Sequence, residues 1–429
     1  MKYFQFKINF KNTLVLGFIY IFGGCFLELN SIQGTNQPLI ENHKDLLNGK
    51  IKTGADQTES YIPLLSNKNV AIVANQTSVI RNKHLVDTLI SRGIKIKKIF
   101  APEHGFRGDA ANGEHVKSGK DIKTGLPIIS LYGKHVAPTA DDLKGIDIVV
   151  FDIQDVGVRF YTYLSTLHYV MQSCVQFNKE LIVLDRPNPN IHYVDGPILD
   201  TAYKSMVGLH PIPLVHGMTL GELAKMIQGE KWIENSEKLK MSVISVTNYT
   251  RASKYTLLIP PSPNLPSKES IILYPSLGLF EGTVMSMGRG TEKPFECFGA
   301  PWLNSGNYVF KPINIPGKAT NPPYLNQDCH GILLSEFASD YLVNFQHVYI
   351  EWLVFLNQEY QSYLKTLPAE VREKQPPFFN SFFTKLAGNV ELQSQIERGL
   401  SPEEIRKSWI TGLQQFRKRR QPYLIYPES

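Results

Sequence analysis

The chain has 429 residues, of which 42% are hydrophobic, 11% aromatic and 20% charged, the composition of an ordinary globular protein with substantial cores and room for two or three domains. Its net charge of +6 is diffuse, and beyond Cys25 it has only Cys174, Cys297 and Cys329, widely spaced and without a CxxC. These features exclude a disulfide framework and give no electrostatic footprint for nucleic acid.

Lys2, Lys7 and Lys11 precede Thr13 to Phe22, a mostly apolar stretch too short to span a membrane comfortably, followed by Gly23, Gly24 and Cys25. A basic head, an apolar core and small residues before a boundary form an export signal over residues 1–24. A cysteine directly after the small pair is where bacterial lipoproteins carry their lipid. The expectation is therefore a lipid anchor on Cys25 and a polar tether over 25–50. Phe22 departs from the leucine usual three positions before that cysteine, so ordinary cleavage and an uncleaved anchor stay open.

From about Lys52 short apolar runs alternate with helical patterns. Strands are predicted at Val70–Ala74, Ile96–Ala101, Ile128–Leu131, Ile148–Phe151, Leu181–Leu184, Ile212–Val215 and Val243–Val246. Helices are predicted through Leu85–Ile90, Leu167–Val175 and Leu220–Ile227. This alternation indicates an α/β fold, a Rossmann-like, mostly parallel sheet covered on both faces. It occupies residues 51–248, and residues 249–429 form a second, smaller α+β domain that completes the cleft. Asn75, Gln76 and Thr77 follow the first strand in place of GxGxxG, and GxxxxGK[ST] is absent. Neither a nicotinamide or flavin cofactor nor a nucleoside triphosphate is expected.

Polar residues follow one strand after another. Asn75 follows the first, and Glu103, His104 and Arg107 follow the next. Asp152, Gln154, Asp155, Arg159, Tyr161 and Tyr163 follow Phe151; Asp185, Arg186 and Asn188 follow Leu184; His216 follows Val215. In an open α/β sheet the ligand crevice lies beyond the carboxyl ends of the strands, so these residues converge on one edge. Taken singly, each can equally cap a helix or pair with a neighbour. Acids, amides and arginines suit hydroxyl and amide groups, and tyrosine rings offer faces for a sugar. Carboxylates with histidine favour acid–base chemistry at an acetal. Neither HxH nor HxxxH occurs, so a metal site would need ligands from separate loops, and none is expected.

The second half opens on PPSPNLP and continues into LYPSLGLFEGTVMSMGRGTEKPFECFGAPW, which supplies Glu281 and Arg289 among several glycines. This segment either closes over the crevice or is a tight structural loop. The tail from Ile332 reads as helical, and the basic run Arg417–Arg420 as the solvated end of a helix beginning near Pro402.

PEHGFRG, TGLPIISLYG, VVFDIQDVGVRFYTY, LDRPNPN, DGP, PIPLVHGMTLGE, PSPNLP, LYPSLGLFEGT and GRGTEKPF together resemble the NamZ-type exo-β-N-acetylmuramidases, formerly YbbC-like proteins of unknown function. The resemblance spans about Gly54 to Tyr426. It implies a glycosidase that releases N-acetylmuramic acid from the non-reducing end of peptidoglycan fragments in cell-wall turnover and recycling. One position departs: Ile191 follows NPN where the family usually has glycine.

Glu103 matches the family's EHG motif and is the expected acid/base carboxyl, with Phe106 beside it. Asp152, Asp185 and Glu281 compete for the second carboxyl role, and the substrate's own acetamido group is a further candidate nucleophile. Arg159, Arg186 or Arg289 is expected to pair with the lactyl carboxylate, because a guanidinium fork fits a carboxylate better than an ammonium does. Asn75, His104, Arg107, Gln154, Tyr161, Asn188 and His216 complete the expected binding set. Two other readings stay open: a lipid-anchored protein that captures wall fragments without cleaving them, and a metal-dependent hydrolase using His104, Asp152, Asp185 and His216.

Overall fold

The computed structural model describes residues 49–107 and 118–429. The signal, Cys25, nearly all of the tether and Gly108 of the PEHGFRG motif lie outside them.

Val70–Ala74 (β1) sits at the centre of a seven-stranded sheet. A hairpin of two-residue strands, Val79–Ile80 (β2) and Lys83–His84 (β3), follows it outside the sheet. The further sheet strands are Ile96–Ala101 (β4), Gly119–Lys120 (β5), Pro127–Ser130 (β6), Ile148–Asp152 (β7) and Glu180–Leu184 (β8). The order is β11-β8-β7-β1-β4-β6-β5, with β11 at Met241–Ile244. Every pairing is parallel except β5 with β6.

Continuous apolar runs such as VAIVA and IVVFD are what a sheet buried on both faces requires. Side chains alternate between two cores because successive residues of a strand point to opposite faces. Ala71, Val73, Phe100, Val149, Phe151 and Val183 join one buried cluster, while Val70, Ile72, Ile99, Ile148, Val150 and Ile182 join the other. Helices Thr58–Leu65 (α1) and Leu85–Ser91 (α2) cover the second face through Tyr61, Leu65, Leu85 and Leu89. Tyr163–Gln176 (α3) and Leu220–Gly229 (α4) cover the first.

Ile212–Val215, expected among the sheet strands, is placed differently. Pro213–Val215 (β10) pairs antiparallel with Asp195–Ile198 (β9), apart from the large sheet. The sheet's outer parallel neighbour is β11 instead, paired with β8.

After residue 249 the chain adds Lys268–Leu277 (α5) and a three-stranded antiparallel sheet of Cys297–Ala300 (β12), Tyr308–Phe310 (β13) and Cys329–Leu333 (β14). The longer helices of the helical tail are Glu351–Thr366 (α6) and Pro402–Arg420 (α9), with the shorter Phe383–Ala387 (α7) and Glu391–Glu397 (α8) between them. α9 carries a Ser401–Glu404 capping box, proline at its start, acids in its first turn and four basic residues in its last, all favourable to the helix dipole. Its basic end is not merely solvated. Arg420 is buried and donates to the His216 and Gly217 carbonyls, and Arg417 donates to that of Val194. The first core cluster runs on from the large sheet into this region, through Phe280, Phe298, Leu353 and Trp409.

Candidate active site

β4 ends at Ala101, and Pro102 to Gly105 make a tight turn closed by the Gly105 N–H on the Pro102 carbonyl at 3.1 Å. His104 (φ 71°) and Gly105 (φ 80°) are both left-handed. For histidine that conformation costs roughly 1–2 kcal/mol, which the surrounding packing must offset. The turn fixes the backbone beneath Glu103, whose side chain is buried yet lines a cavity of about 510 Å³. The Thr162 hydroxyl donates to Glu103 Oε2 at 2.7 Å, and the Tyr132 phenol lines the cavity beside it. Burial, with the Glu103 and Glu281 charges nearby, pushes the Tyr132 phenol above its ordinary pKa.

Glu281 and Arg289 line the same cavity and form an ion pair at 2.9 Å. Glu281 stands on the single 3₁₀ turn Gly278–Gly282 that prolongs α5. Arg289 is held between Gly288 (φ 79°) and Gly290 (φ 80°), and its guanidinium lies 4.8 Å from the centroid of the Phe295 ring. A Cβ on Gly288 would fall 2.5 Å from the Lys293 carbonyl oxygen, so the GRG sequence is a steric requirement of this loop. Burial opposes the charge on Arg289, but the Glu281 carboxylate beside it prevails and raises its pKa. Phe160, Tyr161, Tyr274 and Phe295 supply an aromatic wall joined edge to face, with Tyr274 central at 5.0–5.8 Å from the other three rings. Ser262 and Asn264 of PPSPNLP and His104 complete much of the polar lining, while Val136, Met206, Val207, Phe382 and Leu386 make it apolar elsewhere.

Of the residues expected at the site, Glu103, His104, Tyr161, Glu281 and Arg289 line this cavity. The others are not among its lining. Asp152 is fully buried and receives a bidentate pair from Arg186, at 2.6 and 2.9 Å. Asp185 accepts from the Thr219 hydroxyl, the Gly221 N–H and the Tyr426 phenol, and burial lifts its carboxyl to about 6. Both acids therefore secure the sheet edge. Arg159 spends its guanidinium on four main-chain carbonyls. Arg107 forks onto Asp121 at 2.8 and 2.9 Å, holding that carboxyl down at about 2.

The amides stitch loops together. Asn75 Nδ2 donates to the Tyr163 phenol, which donates on to the Pro261 carbonyl. Gln154 Nε2 reaches the Asp155 and Pro187 carbonyls, and Asn188 Nδ2 that of Met218. His216 is wholly buried, which lowers its pKa to about 3, and its Nδ1 accepts from the Met218 N–H. Among the described residues no group of three or more His, Cys, Asp or Glu is placed to hold a metal ion. Tyr132, Thr162 and Tyr274 are cavity residues that the strand-end pattern did not single out. Tyr132 sits in the SLYG motif after β6 and Tyr274 in LYPSLGLFEGT, so motif membership was the usable signal for both, although Tyr274 lies inside a helix rather than at a strand end.

Two family models cover the chain: exo-beta-N-acetylmuramidase NamZ, N-terminal, over residues 70–269, and exo-beta-N-acetylmuramidase NamZ, C-terminal, over residues 272–426. The chain belongs to the NamZ exo-β-N-acetylmuramidase family. It is 40% identical over 395 residues to the peptidoglycan beta-N-acetylmuramidase NamZ of Bacillus subtilis, covering 88% of this chain and 92% of that protein. Two crystal structures of DUF1343 family proteins from Bacteroides fragilis share the fold. One has a TM-score of 0.79 and 44% identity, covering 89% of this chain and 100% of that one. The other has a TM-score of 0.73 and 29% identity, covering 88% and 99%. Ile191, the position that departs from the family's glycine, is buried with Val246, Tyr249 and Tyr426, so its side chain fills a small core rather than opening the loop.

Proposed function

We propose that this family member releases N-acetylmuramic acid from the non-reducing end of peptidoglycan fragments, with Glu103 as the acid/base carboxyl and Glu281 as the second. The carrying observation is that these are the two carboxylates among the cavity's lining residues. Protonation of a poor leaving oxygen needs a positioned carboxyl, and the left-handed turn under Glu103 supplies rigidity together with access. Arg289 reads the lactyl carboxylate. A guanidinium carries five N–H groups, so its bond to Glu281 does not exhaust it. In this reading residues 51–248 carry Glu103 on the sheet edge, and residues 249–429 bring Glu281 and Arg289 to complete the cleft. The reaction belongs to the cell envelope. No described helix is long and apolar enough to cross a membrane. The basic, apolar and Gly-Gly-Cys sequence of the first 25 residues supports export and attachment through lipid on Cys25.

The test is incubation with a disaccharide ending in N-acetylmuramic acid, with and without chelator, using the natural protein and Glu103→Gln. Free sugar should appear whether or not chelator is present. Glu103→Gln should bind the sugar but turn over at least ~100-fold more slowly, the lower end of general acid–base contributions. A nitrophenyl glycoside, whose leaving group needs less protonation, should lose less rate. Chelator-sensitive release would establish the metal hydrolase instead, and binding without release the capture protein.

A further inference from the structure

Arg159 is among the largest fully buried side chains, 1% exposed, and among the described residues no carboxylate forms an ion pair with it. Its Nη1 donates to the Pro197 and Ile212 carbonyls at 2.7 and 2.8 Å, on and beside the β9–β10 hairpin. Its Nη2 donates to the Leu386 and Ala387 carbonyls at 3.0 and 2.6 Å, at the C-terminal end of α7. Those carbonyls are among the ones a helix end leaves without intrahelical partners, and a cation there also suits the dipole. The chain then turns at Gly388 (φ 79°), where a Cβ would fall 2.6 Å from Arg159 Nη2. The approach is therefore as close as the backbone allows.

Both flanks of this clamp belong to the cavity. Phe160, Tyr161 and Thr162 follow Arg159 directly, and Phe382 and Leu386 lie at α7; all five line the cavity, and Thr162 also donates to Glu103. A buried cation without a counterion is costly, and well-packed apolar side chains often replace buried charges without loss of stability. What the guanidinium adds is direction, four bonds in a fixed planar fork.

We infer that Arg159 is a positioning residue: it ties α7 to the β9–β10 hairpin and so sets the distance between the Phe382–Leu386 wall and the loop bearing Tyr161 and Thr162. The inference rests on the reading that this cavity receives the terminal sugar. Arg159 acts through Phe382 and Leu386 and does not touch the reacting atoms. Its loss is felt in binding, because an ammonium cannot span four carbonyls in two directions.

The experiment compares the natural protein with Arg159→Lys, Phe382→Ala and the double variant. It measures kcat and KM on the muramic-acid-terminated disaccharide, binding of free N-acetylmuramic acid by calorimetry, and Tm. Arg159→Lys should raise KM and weaken sugar binding about tenfold while kcat stays within about threefold, because a displaced wall costs binding before it costs proton transfer. Phe382→Ala should act in the same direction, and the double variant should lose about as much as the worse single one, since both disturb one wall. A folded Arg159→Lys with unchanged KM, a kcat loss at constant KM, or multiplying effects in the double variant overturns the inference. Where Arg159→Lys fails to fold, Phe382→Ala with unaltered sugar binding overturns it too. A natural protein that binds the sugar but releases none counts against the proposed reaction, and calorimetry still decides the role of Arg159.

Discussion

In the proposed reaction Arg289 is the residue that would set substrate choice. It is clasped by Glu281, stacked near Phe295 and held by two left-handed glycines, so its fork is presented in one orientation. Arg159 and Arg186, which sequence placed beside it as candidates, are committed to main-chain carbonyls and to Asp152. Arg289→Lys retains a charge beside Glu281 but not the planar fork, whereas Arg289→Met removes both. A charged hydrogen bond is worth about 1.5–3 kcal/mol, so Arg289→Met should lower the preference for N-acetylmuramic over N-acetylglucosamine ends at least ~10-fold. Arg289→Lys should fall between. The check is kcat/KM on two disaccharides differing only in the lactyl ether. If Arg289→Met keeps the full preference, selectivity lies elsewhere in the cavity.

At the scale of an element, the segment after β7 shows how a strand end becomes a wall. Asp155 lies in it, buried, with Oδ2 accepting from the Gly157 N–H and Oδ1 lacking any hydrogen-bond partner. Burial pushes its carboxyl up to about 7, far above the 3.8 of an exposed aspartate. The folded protein therefore keeps a proton that the unfolded chain has released, and stability drains away as pH rises from about 4 to about 7. The cost is on the order of a few kcal/mol. Asp155→Asn removes that dependence. Between about pH 5 and about pH 8 the natural protein's Tm should fall several degrees further than the variant's, as differential scanning calorimetry can measure. Parallel traces would show that Asp155 is not the group responsible.

The same segment shows what sequence can reveal. VAIVA and the apolar run before Asp152 were legible as strands, since short runs rich in β-branched residues suit a sheet covered on both faces. Glu103 at a strand end was legible for the same reason. Which edge residues meet a ligand and which meet each other was not, because Asp152 and Arg186 are 34 positions apart and their pairing is a property of adjacent strands. Nor does the short run at Ile212–Val215 announce a partner at Asp195–Ile198. The wall from Phe382 and Leu386 is more remote still.

For the whole molecule, the first question is attachment. If lipid on Cys25 holds the protein, Cys25→Ser should move it from the membrane fraction to the soluble one or block its maturation, as fractionation and mass spectrometry would show. Unchanged membrane association and processing would remove the anchor and leave the enzymatic reading intact. The second question is time. Tyr426 caps Asp185 across 241 positions, and the Ile425 and Tyr426 N–H groups fasten to Glu222. A ribosome therefore finishes the sheet strands long before it delivers the phenol that caps Asp185 at the end of β8. Asp185 gains its phenol cap only once Tyr426 has been added, 241 positions after the strand end it completes.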